Sequence, residues 1–584
     1  MFTTRPELAG TFGMVASTHW LASSSGMAVL ERGGNAFDAA AAAAFTLHVC
    51  EPHMNGPGGE VPAIFTTAAD PTPRVLCGQG VAPAAATVER FRQLGLDLVP
   101  GTGLLAATVP GAVGAWLTLL RDHGTMPLRD VLGYAIGYAE HGHPVAQGVV
   151  DTVTAVEQLF RTHWPTSADL WLPAPAPGGL IRNPALAATY RRLVEEAEAA
   201  GGDRDKQLDA AITAWYEGFV AEAIDAFCCT AVVDDSGRPH TGLLTGADLA
   251  AWRPGYEPTV SHDVFGWQVH KVGAWSQGPV LLAQLAMLEA FGDRPGPASA
   301  DEIHRVVEVA KLAFADRDAN LGDGADLTAL LDPAYLAARA RLVTGEAGAA
   351  LRNGLGTLPR YVLEGGAQAS LTGLGVGEPT LGGLEVSPQG TTRGDTCHLD
   401  VADRWGNVIS ATPSGGWLQS SPTIPELGFC LGTRAQMFWL EEGLPNTLAP
   451  GKRPRTTLSP SFATHDGVQL SFGTPGGDQQ DQWQLLFFLN HAVHGMDLQA
   501  AIDSPTWHTT AFASSFWPRQ TGTQLLLEAR AADAADELRR RGHDVEVVDG
   551  WSLGRMSAIA RDTESGLLRA AANARGMQGY AVGR

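Results

Sequence analysis

Three regimes of hydrophobic and polar spacing divide the chain. In "LASSSGMAVLERGGNAFDAAAAAAFTLHVCEPH", residues 21–53, the apolar positions follow a helical period and predict two helices. Met27, Val29 and Leu30 supply the buried face of the first, Ser23 to Ser25 offer caps, and Gly33-Gly34 stop it. Asn35 caps the second with Asp38 near its positive end, and the alanine run predicts a closely packed buried helix. "HMNGPGGEVPAIFTTAA" then reads as a tight glycine-rich turn entering a strand. It lacks the Lys-Ser/Thr step and following helix of a phosphate-cradling loop.

From about residue 104 to 345 the pattern is mainly helical, as in "PGAVGAWLTLLRDHG", "NPALAATYRRLVEEAEAAG" and "SADEIHRVVEVAKLAFADRDANLGD". Ser299 followed by Glu302 predicts a capping box, and "GWQVHKVGAW" a short alternating strand. Residues 346–393 break the pattern: rich in Gly, Pro, Ser and Thr, they cannot bury enough apolar area to offset their ordering entropy. They predict a mobile linker over 346–395 that ends at "GDTCHLDVADRWGN". There a hairpin begins, with Leu399 and Val401 on one face and Gly406-Asn407 in the turn. Strands at "VQLSFGTPGG", "HDVEVVDG" and "MSAIARD" and helices near 483–503 and 526–541 complete a mixed α/β chain of stacked layers.

A length of 584 residues, 45% of them hydrophobic, gives a globular chain with room for two domains or one large interleaved body. A formal net charge of -22 removes nucleic acid from the partners, since a duplex binder needs a basic face. The N-terminal stretch shows no charged region followed by an apolar one, and "DAAAAAAFTLHV" is too short and alanine-rich to span a bilayer. Six irregularly spaced cysteines without a CxxC pair read as reduced thiols of a cytoplasmic protein and give no metal site.

Thr396 and Cys397 stand side by side where the linker meets the strand. A threonine hydroxyl is a weak nucleophile, but an N-terminal threonine can pass its proton to its own α-amine, whose pKa lies near neutrality. That chemistry needs a chain break just before the residue, in an accessible backbone, and a strand that fixes the residue itself. Alternation places the side chains of residues 396 and 397 on opposite faces, so the hydroxyl is expected to act and the thiol to pack.

These residues resemble the γ-glutamyltransferase family of N-terminal-nucleophile hydrolases, and the resemblance runs nearly end to end. The opening block "GMVASTHWLASSSGMAVLERGGNAFDAAAAAAFTLHVCEPHMNGPGG" and the later "VPGAVGAWLTLLRDHGTMPL", "GLLTGADLAAW", "AFADRDANLGD", "KRPRTTLSPS" and "FGTPGGDQQ" occur in the family's order. The resemblance implies a four-layer αββα sandwich and a proenzyme cut between Asp395 and Thr396. It implies a large chain 1–395 and a small chain 396–584 that stay together as an interleaved heterodimer. It assigns the nucleophile to Thr396, with Thr412 and Ser414 beside it and the oxyanion hole to the backbone of Gly476-Gly477. No cofactor is implied. Cys397 replaces the second threonine of the family's Thr-Thr-His signature.

In the substrate pocket the chain departs from the pattern. Gln79 stands where the family holds a substrate carboxylate with arginine, and a neutral amide cannot replace that clamp at equal strength. Arg434 and Met437 stand where the family has groups for the α-amine, while Thr456-Thr457 keep the hydroxyls of its Ser-Ser pair. Trp417, Trp439 and Trp483 are available to wall an apolar pocket. The implied activity is transfer of a γ-glutamyl or related acyl group from a small acyl-amide, through a threonine acyl-enzyme, to water or an amine. The alternatives are a glutathione hydrolase proper, an acylase of the cephalosporin or oxamate-amide type that takes a negative group near Arg434, and an unprocessed, non-catalytic homologue.

Overall fold

The computed structural model describes residues 3–363, 396–575 and 579–584. Two seven-stranded sheets stack face to face. One runs in the order Leu8–Gly10, Leu568–Ala572, Ser557–Asp562, Val468–Gly473, Ser461–His465, Trp267–Lys271, Val260–Val264. The other runs Tyr580–Gly583, Gly13–Ser17, Leu399–Asp403, Val408–Ala411, Val61–Thr66, Arg74–Gly78, Gly255–Pro258. Met14, Ala16, Ile64, Ala402, Val408, Phe462, Ile559 and Ala570 fill the space between them. Helices cover both outer faces, which makes four layers, α-β-β-α.

The first helical layer follows from small side chains. Helix Ala36–Cys50 is buried along its whole length, because its alanines let the backbone lie close to helix Trp20–Glu31 and the sheet. Asn35 and Asp38 form the reciprocal cap at its start. The first helix is capped by His19, whose Nδ1 accepts from Leu21 N at 3.1 Å, and not by Ser23 to Ser25, which lie inside it. On the opposite side, helices Pro279–Glu289, Ala300–Asn320 and Gln480–Phe488 pack on Val269, Ala463, Leu470, Phe472 and Ala558. At Ala300–Asn320 only half of the expected capping box forms: Ser299 Oγ accepts from Glu302 N at 3.2 Å, while the Glu302 carboxylate turns to Ala298 N.

Another expectation fails in part. The helix expected over 526–541 begins instead as strand Gln524–Glu528, paired in parallel with Asp544–Val548, and turns helical only from residue 529. The apolar run Leu525, Leu526, Leu527 is buried as a strand, which periodicity alone does not separate from a helix. Of the expected linker, residues 346–363 are described: they carry only the short helix Arg360–Leu363 and bury Leu358 and Val362. Asp395 and residues 364–394 lie outside the described residues.

Segments on both sides of position 395 share both sheets. Leu399–Asp403 is hydrogen-bonded between Gly13–Ser17 and Val408–Ala411, with Leu399 opposite Ser17 and Ala411. Among the described residues no helix is long and apolar enough to cross a membrane.

Candidate active site

Thr396 enters the strand by a single bridge to Ser414 and is wholly buried. The pleat then sorts the signature: Cys397, Leu399 and Val401 face the helical layer, and His398, Asp400 and Ala402 face the other sheet. His398 Nδ1 lies 2.9 Å from Thr412 Oγ1 and Nε2 lies 3.1 Å from Asp400 Oδ2, which also accepts from Ser557 Oγ at 2.9 Å. The imidazole lies flat against Gly473, where a Cβ would collide with it. Register at residue 396 is therefore pinned two residues downstream by a polar network that ties three strands.

Thr396 Oγ1 lies 3.3 Å from Ser414 Oγ. Ser414 Oγ accepts from Arg434 Nη2 at 2.8 Å, and Arg434 Nε donates to Glu60 Oε1 at 2.5 Å. Since the guanidinium only donates, Ser414 keeps its own proton to give to Thr396 Oγ1, or a lone pair to accept from it. All four groups are buried. Burial pushes the Glu60 carboxyl up, against the pull of Arg434. The glycines explain how the two segments meet: a Cβ at Gly59 would run into the carbonyls of Ser414 and Gly415, and one at Gly415 into the Glu60 carboxylate. The turn at 53–60 is the tight turn expected, and it places against Arg434 a buried acid, Glu60, that the sequence reading missed. Its only visible signal is a lone Glu closing a Gly-Gly turn.

The other face of the strand holds a separate polar pocket. Cys397 Sγ donates to Glu51 Oε2 at 3.0 Å and accepts from Asn55 Nδ2 at 3.2 Å, while Thr18 Oγ1 donates to the same Glu51 oxygen at 2.5 Å. Burial, then the charge of Glu51, pushes the thiol well above its ordinary range, so it is no thiolate. Replacing Cys397 with alanine is expected to leave processing and turnover largely intact while lowering stability by about 1–3 kcal/mol, because Glu51 and Asn55 each lose a partner. Urea unfolding beside a processing assay checks both halves.

Close behind stand three buried histidines held neutral. Burial takes His53 and His19 down to about 3 and His143 down to about 4 from the ordinary 6.5. Below pH 6.5 the unfolded chain binds protons that the folded chain refuses. This contribution is therefore complete above pH 6.5 and is lost as the pH falls toward 3–4. The melting temperature is expected to drop steadily from pH 7 to pH 4.5, less steeply in a His53→Gln variant; a flat profile contradicts this.

Gly476 and Gly477, with φ of +122° and +51°, open the turn into helix Gln480–Phe488, and Gly476 sits on the Trp483 ring. The turn continues the strand whose last residue, Gly473, carries the His398 ring. Thr412 serves His398, and Ser414 serves Thr396. Thr456 and Thr457 are fully buried, and Thr456 bridges to Ser276. Gln79 is buried at the end of strand Arg74–Gly78; its Nε2 donates to Gly80 O at 3.1 Å. The following segment runs along residues 451–452, with Ala82 N donating to Lys452 O at 2.8 Å. Trp417 lies 5.2 Å from the Arg434 guanidinium and packs with Met437 and Phe516, so it walls the site; Trp439 lies under Arg519 at 3.8 Å.

The charge expected of Arg434 needs correction. Its guanidinium is paired with Glu60, so it offers no net positive charge to a substrate. Among the described residues no group of three or more His, Cys, Asp or Glu side chains is placed to hold a metal ion.

Comparison with known proteins bears on the family and the fold. The family model for gamma-glutamyltranspeptidase matches residues 22–583. The chain is 31% identical over 595 residues, 99% of each chain, to the glutathione hydrolase-like YwrD proenzyme of Bacillus subtilis. It is 33% identical over 588 residues, 97% of each chain, to the oxamate amidohydrolase proenzyme of Klebsiella pneumoniae subsp. pneumoniae. The solved structure of LmbA2991HD matches it with a TM-score of 0.92 and 57% identity over 100% of both chains.

Proposed function

We propose, for a chain that belongs to the gamma-glutamyltranspeptidase family of hydrolases and carries its four-layer N-terminal-nucleophile fold, that Thr396 is the nucleophile of a self-cleaving acyl-amide hydrolase. In the precursor, Thr396 Oγ attacks the carbonyl carbon of Asp395, the peptide C–N bond breaks, and the acyl group moves to oxygen while the nitrogen takes the hydroxyl proton. That shift frees the α-amine, and water then cleaves the ester, restoring the Thr396 hydroxyl and leaving Asp395 as a new C-terminal carboxylate. In the mature enzyme that amine takes the Oγ proton as Oγ attacks the substrate amide, and passes it to the leaving amine. Gly476 and Gly477 are the backbone donors to the oxyanion. Water, or an amine, then releases the acyl group.

The observation that carries this reading is the buried relay Glu60–Arg434–Ser414–Thr396, which holds a fixed hydroxyl partner against one hydroxyl at the end of the segment to be cut. The shared sheets support two products of 395 and 189 residues that stay together, since each sheet needs strands from both. Six free cysteines, five of them buried, support a reducing, cytoplasmic setting.

The substrate we infer is an acyl-amide other than glutathione. Gln79 offers no cation where the family places one, and Arg434 is already paired with Glu60. The oxamate amidohydrolase relative favours the acylase alternative.

The experiment is intact mass of the purified protein during turnover of acyl p-nitroanilides. Two chains, with an acyl adduct on the 189-residue one, are expected. One persistent full-length chain without turnover identifies the non-catalytic homologue instead.

A further inference from the structure

Three arginines and two aspartates meet in the interior beside the Gly476–Gly477 turn, all of them buried: Arg317, Arg455, Arg519, Asp318 and Asp478. Arg317 has an acceptor at each of its three nitrogens. Its Nε donates to Asp318 Oδ1 at 2.9 Å, its Nη1 to Asp478 and to Gln277 Oε1 at 3.1 Å, and its Nη2 to Ala513 O at 2.6 Å. Asp478 is further held by Ser515 N at 2.8 Å and Ser515 Oγ at 2.5 Å. Both carboxylates are thus engaged with one guanidinium.

The other two guanidiniums are not. Arg455 comes no closer than 3.8 Å to Asp318 Oδ1, and its Nη1 and Nη2 meet no acceptor among the described residues. Arg519 rests on Trp439 and gives Nη2 to the carbonyls of Gln436 and Phe438 at 2.8 and 3.0 Å, but its Nε and Nη1 meet none. Burial, aided at Arg455 by the charge of Arg317 and at Arg519 by that of Arg455, lowers Arg455 to about 10 and Arg519 to about 9, which still leaves both charged at neutral pH. The cluster therefore holds one positive charge beyond its carboxylates, together with unused N–H groups. A buried cation without a counterion is unfavourable, and guanidinium edges match a planar carboxylate.

Position says whose anion it is. Gln277 Nε2 links the cluster to the carbonyls of Gly477 and Asp478 at 3.4 and 3.2 Å, and Arg519 holds the carbonyls at the end of the turn that starts with Arg434. Thr457, whose Oγ1 is also without a partner among the described residues, follows Arg455 by two positions. One surplus charge suits a monoanion. A dianion would reverse the charge beside Asp318, whose Oδ2 already lacks a donor.

We propose that Arg455 and Arg519 form a carboxylate subsite, and that the preferred substrates are amides whose acyl group carries a second, ionised carboxylate. The proposal rests on the reading of Thr396 as nucleophile, and it moves the acid-recognising charge from Arg434 to a pair that no motif marked.

The test uses the mature enzyme and its Arg455→Met and Arg519→Gln variants. The best of oxalyl-, succinyl- and glutaryl-p-nitroanilide is expected to exceed acetyl- and butyryl-p-nitroanilide in kcat/KM by at least about 10-fold, and each variant to lose most of that ratio. Glutarate is expected to raise the melting temperature of the wild type and not of Arg455→Met. Arg455→Met itself should melt no lower than wild type, because an unpaired buried charge has been removed; an arginine with a merely structural role would give a lower value. Turnover without acid preference, or a preference that survives both variants, overturns the subsite. If no anilide is cleaved, the nucleophile reading has failed, and glutarate stabilisation alone decides the subsite: a shift lost in Arg455→Met supports it, and no shift in the wild type overturns it.

Discussion

A Thr396→Ala variant accumulates as a single uncut chain of 584 residues and hydrolyses no amide above background. The expectation has two independent causes. Without Oγ the precursor has no atom to attack the Asp395 carbonyl, and without the cut no α-amine exists to act as base. Loss of a nucleophile from a hydrolase of comparable logic removes on the order of 10⁶ in kcat. Ser414 cannot take over, although its oxygen is 3.3 Å away, because it sits within the chain and has no α-amine of its own. Thr396→Ser keeps the hydroxyl and is expected to be cut, more slowly, since it lacks the methyl group that restricts χ1 in the buried wild-type side chain. Denaturing electrophoresis against time checks both variants; prompt cutting of Thr396→Ala contradicts the assignment.

The second large effect concerns Glu60. Neutralising it as Glu60→Gln leaves Arg434 buried without its carboxylate, a state that costs about 3–5 kcal/mol when one partner of a buried pair is removed. The pair Glu60→Gln/Arg434→Met should recover most of that stability, because the stranded charge is gone. It should not recover processing or turnover, because Ser414 has lost the donor that fixes it on Thr396. Urea unfolding of the two single variants and the double variant measures the coupling. A double variant that is both stable and fully active would show the relay to be structural only.

What could be read from the chain follows the range of the interactions. Helix Ala36–Cys50 and its cap, and the hairpin around Gly406, are set by residues within a few positions of each other. So is the alternation that separates Thr396 from Cys397, and the sheet partners confirm it. The strand Gln524–Glu528 escaped because its parallel partner lies about twenty residues on, beyond any local period. The relay escaped for the same reason in stronger form: Glu60 and Arg434 are 374 positions apart. Arg434 stands out in the sequence only by its place in the family pattern, and its charge cannot be judged there because its counterion, Glu60, lies far away in the chain. Arg455 lay in plain view between two motif residues, but only the fold shows that its guanidinium has no partner there.

N-terminal sequencing of the lighter chain of the purified protein bears most directly on this account. A chain that begins Thr-Cys-His-Leu places the free amine on residue 396, beside the hydroxyl that Ser414 and Arg434 hold in place. A chain that begins at Cys397 or anywhere else, or an active protein that remains one unbroken polypeptide, contradicts it.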